Sequence, residues 1–234
     1  MTLTILDRDN TPRPFGAVFR RSRPGPERKL VEAFLEQFPF SIPRGCSTTV
    51  FCEPRIESGF PDLVIVFWNE AIAERWVPDR FRLIKDDIRL IHYLHQTGPL
   101  SSEALRARLS KSVIANLDRL EAAELVFRVG NAWKPRCLAK SFAARQIIAV
   151  EAKISEWARA ARQAFQNTWF ASDSFVLLPK DRPVAAVRSA AREFGIRFCS
   201  PGKCLRSKNM SASSLPRSYV SWLFNEWAWR SAQL

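Results

Sequence analysis

The sequence lacks the features that most simply declare a protein's setting. No apolar run approaches the roughly 20 residues that a membrane-spanning helix needs, since the longest strongly apolar run is Leu63 to Trp68. The opening MTLTILDRDN carries acidic residues and no apolar stretch of the signal-peptide kind, so the expectation is a cytoplasmic protein with no membrane partner. Cysteines number five, an odd count, with no CxxC pair, and the two histidines, His92 and His95, stand far from all of them. A zinc site is not expected, and free thiols in a reducing compartment are. The chain shows no internal repeat and no long low-complexity tract. It is also short of acid: 23 Asp and Glu face 36 Lys and Arg, a formal net charge of +13, which favours a polyanionic partner, nucleic acid first.

What is present is a globular chain of 234 residues, 47% of them hydrophobic, enough for one generous domain or two small ones. Residues 1–25, rich in Pro and Arg, read as a basic, poorly structured arm or edge. Leu30, Val31, Phe34, Leu35 and Phe38 then recur at helical spacing after Pro26, a helix-start residue. Thr48 to Cys52 and Leu63 to Trp68 read as strands, the second apolar throughout and so buried on both faces.

From about Phe81 to Pro135 the period changes to a compact helical unit. One amphipathic helix runs from Ile84 to His95 and stops at Gly98-Pro99. A second is capped by Ser101 or Ser102, and a third runs from Ser110 to Ala123. Leu125 to Val129, a Gly130-Asn131 turn and Ala132 to Lys134 make a short hairpin. The α/β pattern then resumes: strand Gln146 to Ile154, helix Ser155 to Phe170, strand Phe175 to Leu178, helix Val184 to Phe194, strand Gly195 to Phe198. Residues 201–214 form a basic, Ser-rich loop. Tyr219 to Trp229 is an aromatic helix that packs on the body or on a second copy of the chain as a homodimer.

Three residues carry the candidate chemistry. Asp62 enters the apolar strand directly after Pro61. Glu151 and Lys153 lie two apart on a later strand, so the pleat aims both at one face. If the strands are neighbours, two carboxylates and an ammonium converge, a workable site for phosphodiester hydrolysis with Mg²⁺ or Mn²⁺, which prefer hard oxygen ligands. The lysine would orient the nucleophile or stabilise charge on the phosphorane.

PDLVIVF at 61–67 and VEAKIS at 150–155 resemble the motifs of the PD-(D/E)XK phosphodiesterases, and the order of elements over most of residues 26–200 is similar. The resemblance implies an α/β fold with a restriction endonuclease-like mixed sheet flanked by helices, and a metal held by Asp62, Glu151 and the carbonyl of Ala152, with Lys153 catalytic. The segment GPERKLVEAFLEQF is similar to the first helix of the resolvase and Mrr-like branches, which implies a site glutamate at Glu27, with Glu32 as second choice. Gln163 matches the Gln-Ala pair of the family's next helix and shares a face with Asn167. The long separation of Asp62 from Glu151 departs from the compact pattern. Residues 79–136, which resemble a bacterial winged helix-turn-helix, account for it as an inserted domain between core segments 26–78 and 137–200, with 201–234 as tail. That module implies DNA contacts through Lys111, Ser112, Asn116 and Arg119 of its third helix and Arg128 and Lys134 of its wing. The expected activity is that of a metal-dependent DNA nuclease, endonuclease or exonuclease. A catalytically silent DNA-binding subunit and an RNA nuclease are the rival readings.

Overall fold

The computed structural model describes residues 3–11, 16–37, 44–109, 112–179, 189, 192–202 and 215–233. Its centre is a mixed six-stranded sheet built from β1 (Leu3–Leu6), β2 (Cys46–Cys52), β3 (Leu63–Asn69), β7 (Ala144–Ala152), β8 (Asp173–Leu177) and β9 (Arg197–Cys199), in that spatial order. Pairing is parallel between β1 and β2, antiparallel from β2 to β3 and β3 to β7, and parallel from β7 to β8 to β9. The first segment is thus an edge of the sheet. β3 and β7 are the central pair, and their near-continuous burial explains the apolar runs Leu63 to Trp68 and Ile147 to Val150.

Each face of this sheet is covered by helix. Alternate residues Val50, Leu63, Ile65, Ile148 and Val150 meet Leu30 and Phe34 of α1 (Pro26–Glu36). The opposite set, Phe51, Val64, Val66, Ile147 and Ala149, joins Trp222 and Phe224 of the C-terminal helix α8 (Tyr219–Ser231). The small residues Ala160, Ala161 and Ala164 let α7 (Trp157–Asn167) lie close over Val176 and Ile196. The aromatic helix therefore packs on the body: Phe224 meets Phe51 edge-on at 5.3 Å and Phe170 in a stack at 5.4 Å between ring centroids.

Between β3 and β7 the chain makes the short helix α2 (Glu70–Ala73), a 3₁₀ turn at Pro78–Arg82, and then α3 (Lys85–Thr97), β4 (Leu100–Ser101), α4 (Ser102–Arg108), α5 (Val113–Ala122), β5 (Val126–Val129), β6 (Ala132–Pro135) and α6 (Leu138–Ser141). Ser101 caps α4 by accepting the amide of Ala104 at 3.1 Å. β4, β6 and β5 form a small antiparallel sheet in that order, and the helices bury Ile88, Ile91, Leu94, Leu105, Leu117 and Leu120 together. That apolar cluster runs without a break into the α8 side of the large sheet. The expected helix Val184 to Phe194 and loop 201–214 lie largely outside the described residues, as do Phe38 and Ser110.

Buried charge ties the linker to α8. Arg80 Nη2 pairs with Glu226 at 2.9 Å, both side chains being almost wholly buried, and donates to the Ser141 carbonyl at 2.8 Å. Arg230 Nη2 donates to the carbonyls of Arg80 and Leu83 at 2.9 and 3.1 Å.

Candidate functional site

The register of the central pair brings the predicted residues together. Leu63 faces Val150 across β3 and β7, so Asp62, one step before, lies opposite Glu151, one step after. Both belong to the same sheet face by the period-2 rule. The Asp62 carboxylate accepts the backbone N–H of Ala152 at 2.7 Å, and Lys153 Nζ stands 3.8 Å from Asp62 Oδ2. Lys153 also donates to the Ala152 carbonyl at 2.8 Å and to Glu27 Oε2 at 3.2 Å. Between the two candidate helix glutamates the geometry is unequal: Glu27 reaches the lysine, whereas Glu32 pairs with Arg28 on its own helix at 2.8 Å. Pro26 and Gly25 begin α1 immediately before Glu27, which points that side chain at the sheet end.

Glu151 is 3% exposed. Burial, with the Asp62 charge added, pushes its carboxyl up to about 8, opposed by the Asn167 hydrogen bond and by the charges of Lys153 and Arg20. Burial raises Asp62 as well, opposed by Lys153 and the Ala152 amide. Asn167 holds Glu151 through Nδ2 to Oε1 at 2.7 Å. Gln163, one turn earlier on α7, lines the same cleft, and its Oε1 is buried with no hydrogen-bond partner among the described residues.

These groups sit in an open cleft of about 1030 Å³ whose lining mixes arginines (Arg20, Arg21, Arg23, Arg28, Arg159) with carboxylates (Asp7, Asp9, Glu32, Glu53, Glu156). Carboxylate and carbonyl oxygens, here the buried Glu151, the half-buried Asp62 and the Ala152 carbonyl, are the kind of donors a hard divalent cation takes, and Mg²⁺ customarily keeps several waters beside one or two carboxylates. Asp62, Glu151 and the Ala152 carbonyl are oxygen donors of that kind, the carbonyl already accepting Lys153 Nζ and Glu151 Oε1 accepting Asn167 Nδ2. Among the described residues no group of three or more His, Cys, Asp and Glu side chains is placed to hold a metal.

Glu53 and Arg20, which the sequence reading passed over, belong to the cleft. Glu53 is 8% exposed, takes the left-handed conformation at φ 50°, and binds Arg20 Nε and Ser22 Oγ. The only local signal was a charged residue at the end of an apolar strand, shortly before Asp62.

The helical unit distributes its expected contact residues unevenly. Arg128 and Lys134 are exposed on the hairpin, and Ser112 is exposed at the start of α5. Asn116 is 7% exposed. Arg119 grips the fully buried Asp87 with two bonds of 2.8 Å, an engagement that turns its guanidinium inward to α3. Lys111 lies outside the described residues. Burial depresses His92 and His95, and His95 tilts against Trp222 at 5.2 Å, a packing role.

Comparison with protein-family models, with curated proteins and with solved structures finds no match to this chain. Among the described residues, no helix is long and apolar enough to cross a membrane.

Proposed function

We propose that the protein is a metal-dependent nuclease of the PD-(D/E)XK type that hydrolyses DNA phosphodiester bonds, with a winged helix inserted into a restriction endonuclease-like core. The observation that carries this reading is the convergence of Asp62, Glu151 and Lys153 at one end of the β3 and β7 pair, inside an open cleft whose lining includes several arginines among its carboxylates. Asp62, Glu151 and the Ala152 carbonyl would hold Mg²⁺ or Mn²⁺. When bound, the ion polarises the phosphate and makes a water more acidic.

The protein's own groups do the rest. Asn167 fixes one oxygen of Glu151. Lys153, steered by Glu27 and the Ala152 carbonyl, orients the attacking water and stabilises negative charge on the phosphorane oxygens. Two carboxylates that are costly to keep ionised together in a buried spot favour the same reading, because a cation there relieves both burial and mutual repulsion.

Support for the winged helix is the order of α3, β4, α4, α5, β5 and β6 with the small sheet β4-β6-β5. In such modules the third helix enters the major groove and the wing touches the backbone, hence duplex DNA as the first substrate. The test is incubation of the purified protein with circular and linear DNA and with RNA, with and without Mg²⁺. Cleavage of DNA that EDTA stops is the expected result. Binding without cleavage would favour a catalytically silent subunit on this fold, and cleavage of RNA alone would move the substrate class.

A further inference from the structure

Arg20 is fastened more firmly than a half-exposed surface arginine needs to be. Its backbone amide donates to the Glu53 carbonyl at 3.0 Å, and Arg55 N–H returns a bond to the Val18 carbonyl at 2.7 Å, so the segment bearing Arg20 runs beside the turn after β2, with Phe19 bridged to Pro54. Its Nε is bound by the Glu53 carboxylate, and its guanidinium carbon lies 5.0 Å from the centre of the Phe60 ring. Among the described residues, Nη1 and Nη2 carry no hydrogen bond.

Glu53 is correspondingly committed. Its backbone N–H donates to the Asp62 carbonyl at 3.0 Å, its side chain is 11% exposed, and its second carboxylate oxygen takes the Ser22 hydroxyl. The left-handed backbone at φ 50° is one that residues with a side chain seldom adopt. It lets one residue touch both the strand that presents Asp62 and the segment that presents Arg20. The charge of Arg20 is felt at Glu151, whose carboxyl it lowers.

We propose that Arg20, positioned by Glu53, binds a phosphate of the nucleic-acid backbone at this site, its two unengaged η nitrogens forming the fork that receives the phosphate oxygens. The proposal rests on the nuclease reading for the chemistry at that phosphate, but not for the binding itself. A planar fork with one nitrogen already tethered loses little freedom on meeting an oxyanion. Glu53 is a positioning residue: it touches no substrate and sets the direction of the guanidinium. The N-terminal segment, otherwise far from β7 in sequence, thereby becomes part of the site.

The test measures binding and cleavage separately. Binding of a fluorescein-labelled DNA duplex is titrated in EDTA over a range of salt for the parent, Arg20→Ala, Arg20→Lys, Glu53→Ala, Glu53→Gln and the double Ala variant. Cleavage is then timed in Mg²⁺ at saturating protein. Arg20→Ala is expected to lower the salt slope by about 1 and the cleavage rate by about 10²-fold. Arg20→Lys should restore the slope and leave the rate low, because an ammonium lacks the fork. Glu53→Gln, whose amide oxygen still accepts from Nε, should stay near the parent, while Glu53→Ala moves toward Arg20→Ala. The double variant should be no worse than Arg20→Ala, the signature of residues acting through one contact. Melting curves guard against misfolding, and Arg20→Lys, with its rate-without-slope defect, carries the test if the Ala variants unfold. A parental slope and rate in Arg20→Ala, or additive losses in the double variant, overturns the proposal. A parent that binds but cleaves nothing overturns the nuclease reading and leaves the slopes to decide Arg20.

Discussion

Asp62 and Ala152, remote in sequence, share a 2.7 Å hydrogen bond from the backbone amide of one to the carboxylate of the other. The bond joins the two strands at the site by side chain as well as by their backbone ladder. Burial, with the Asp62 charge added, disfavours the ionised form of Glu151 there.

The consequence for stability has a definite sign. Glu151 has a folded carboxyl raised to about 8, above its unfolded value, so its contribution is fully present below the unfolded carboxylate range and is lost as pH rises toward 8. Glu151→Gln removes that loss. In EDTA at pH 8 the variant should melt higher than the parent by about 3 °C or more, with the difference shrinking by pH 5. Mg²⁺ should raise the melting temperature of the parent and not of the variant, and DNA cleavage should vanish in the variant. A variant that melts lower than the parent at pH 8 would reject the account of the buried pair.

The central strands and the site were legible because Leu63 to Trp68 and Ile147 to Val150 are apolar on both faces, so that Asp62, Glu151 and Lys153 stand out as charges at the ends of buried runs. The helix and hairpin order of residues 85–135 was legible from period alone. Other features depended on partners that no local pattern reveals. β1 completes itself by pairing with β2, since the β-branched Thr4 and Ile5 of Leu3–Leu6 give only a four-residue signal inside a Pro- and Arg-rich segment. Glu53 looks like any turn residue until Arg20 is seen beside it. Arg119 lies outside the apolar stripe of α5, which suggests solvent, yet Asp87 on α3 is buried directly across from it.

That last pair makes a distinct prediction. Asp87 is fully buried, takes both bonds from Arg119 and also accepts the Ile84 amide at 2.8 Å to start α3. Arg119→Ala would leave a buried charge short of its partner. The expected loss is about 3 kcal/mol, the lower end for such a break because the guanidinium is 29% exposed. Urea unfolding measures it. Equal stability of parent and variant would show the pair to be dispensable and return Arg119 to the set of DNA-contact candidates.

His95 gives a pH dependence of the opposite kind. Burial, with a smaller part from the His92 charge, lowers its imidazole to about 4. Between the unfolded value near 6.5 and that folded value the unfolded chain binds the extra proton, so the histidine costs stability increasingly as pH falls through this window. His95→Gln should therefore be relatively more stable than the parent at pH 4.5 than at pH 7.5, by on the order of 1–2 kcal/mol. Chemical denaturation at the two pH values reads the difference, and a constant offset between the proteins would refute it.

If the winged-helix proposal holds, the hairpin of β5 and β6 is the surface outside the cleft at which to test it. Arg128 is exposed, with Nε resting on the Gly130 carbonyl at 3.2 Å, and Lys134 stands 6.0 Å over the Phe127 ring, so both cations are oriented without being buried. Asn116 and Arg119 are turned inward on α5, which leaves that helix with few groups for reading bases and shifts the expected interaction to phosphates. Phosphate contacts release counterions and are indifferent to sequence. Replacing Arg128 and Lys134 together by Ala should then lower the salt slope of duplex binding by about 2 and weaken unrelated sequences equally. Stability should change little, because surface substitutions of this kind stay within about 0.5 kcal/mol. Cleavage at saturating protein should persist, since Asp62, Glu151 and Lys153 are untouched. If the double variant keeps the parental slope, the hairpin does not meet DNA, and the cleft must hold the substrate by itself.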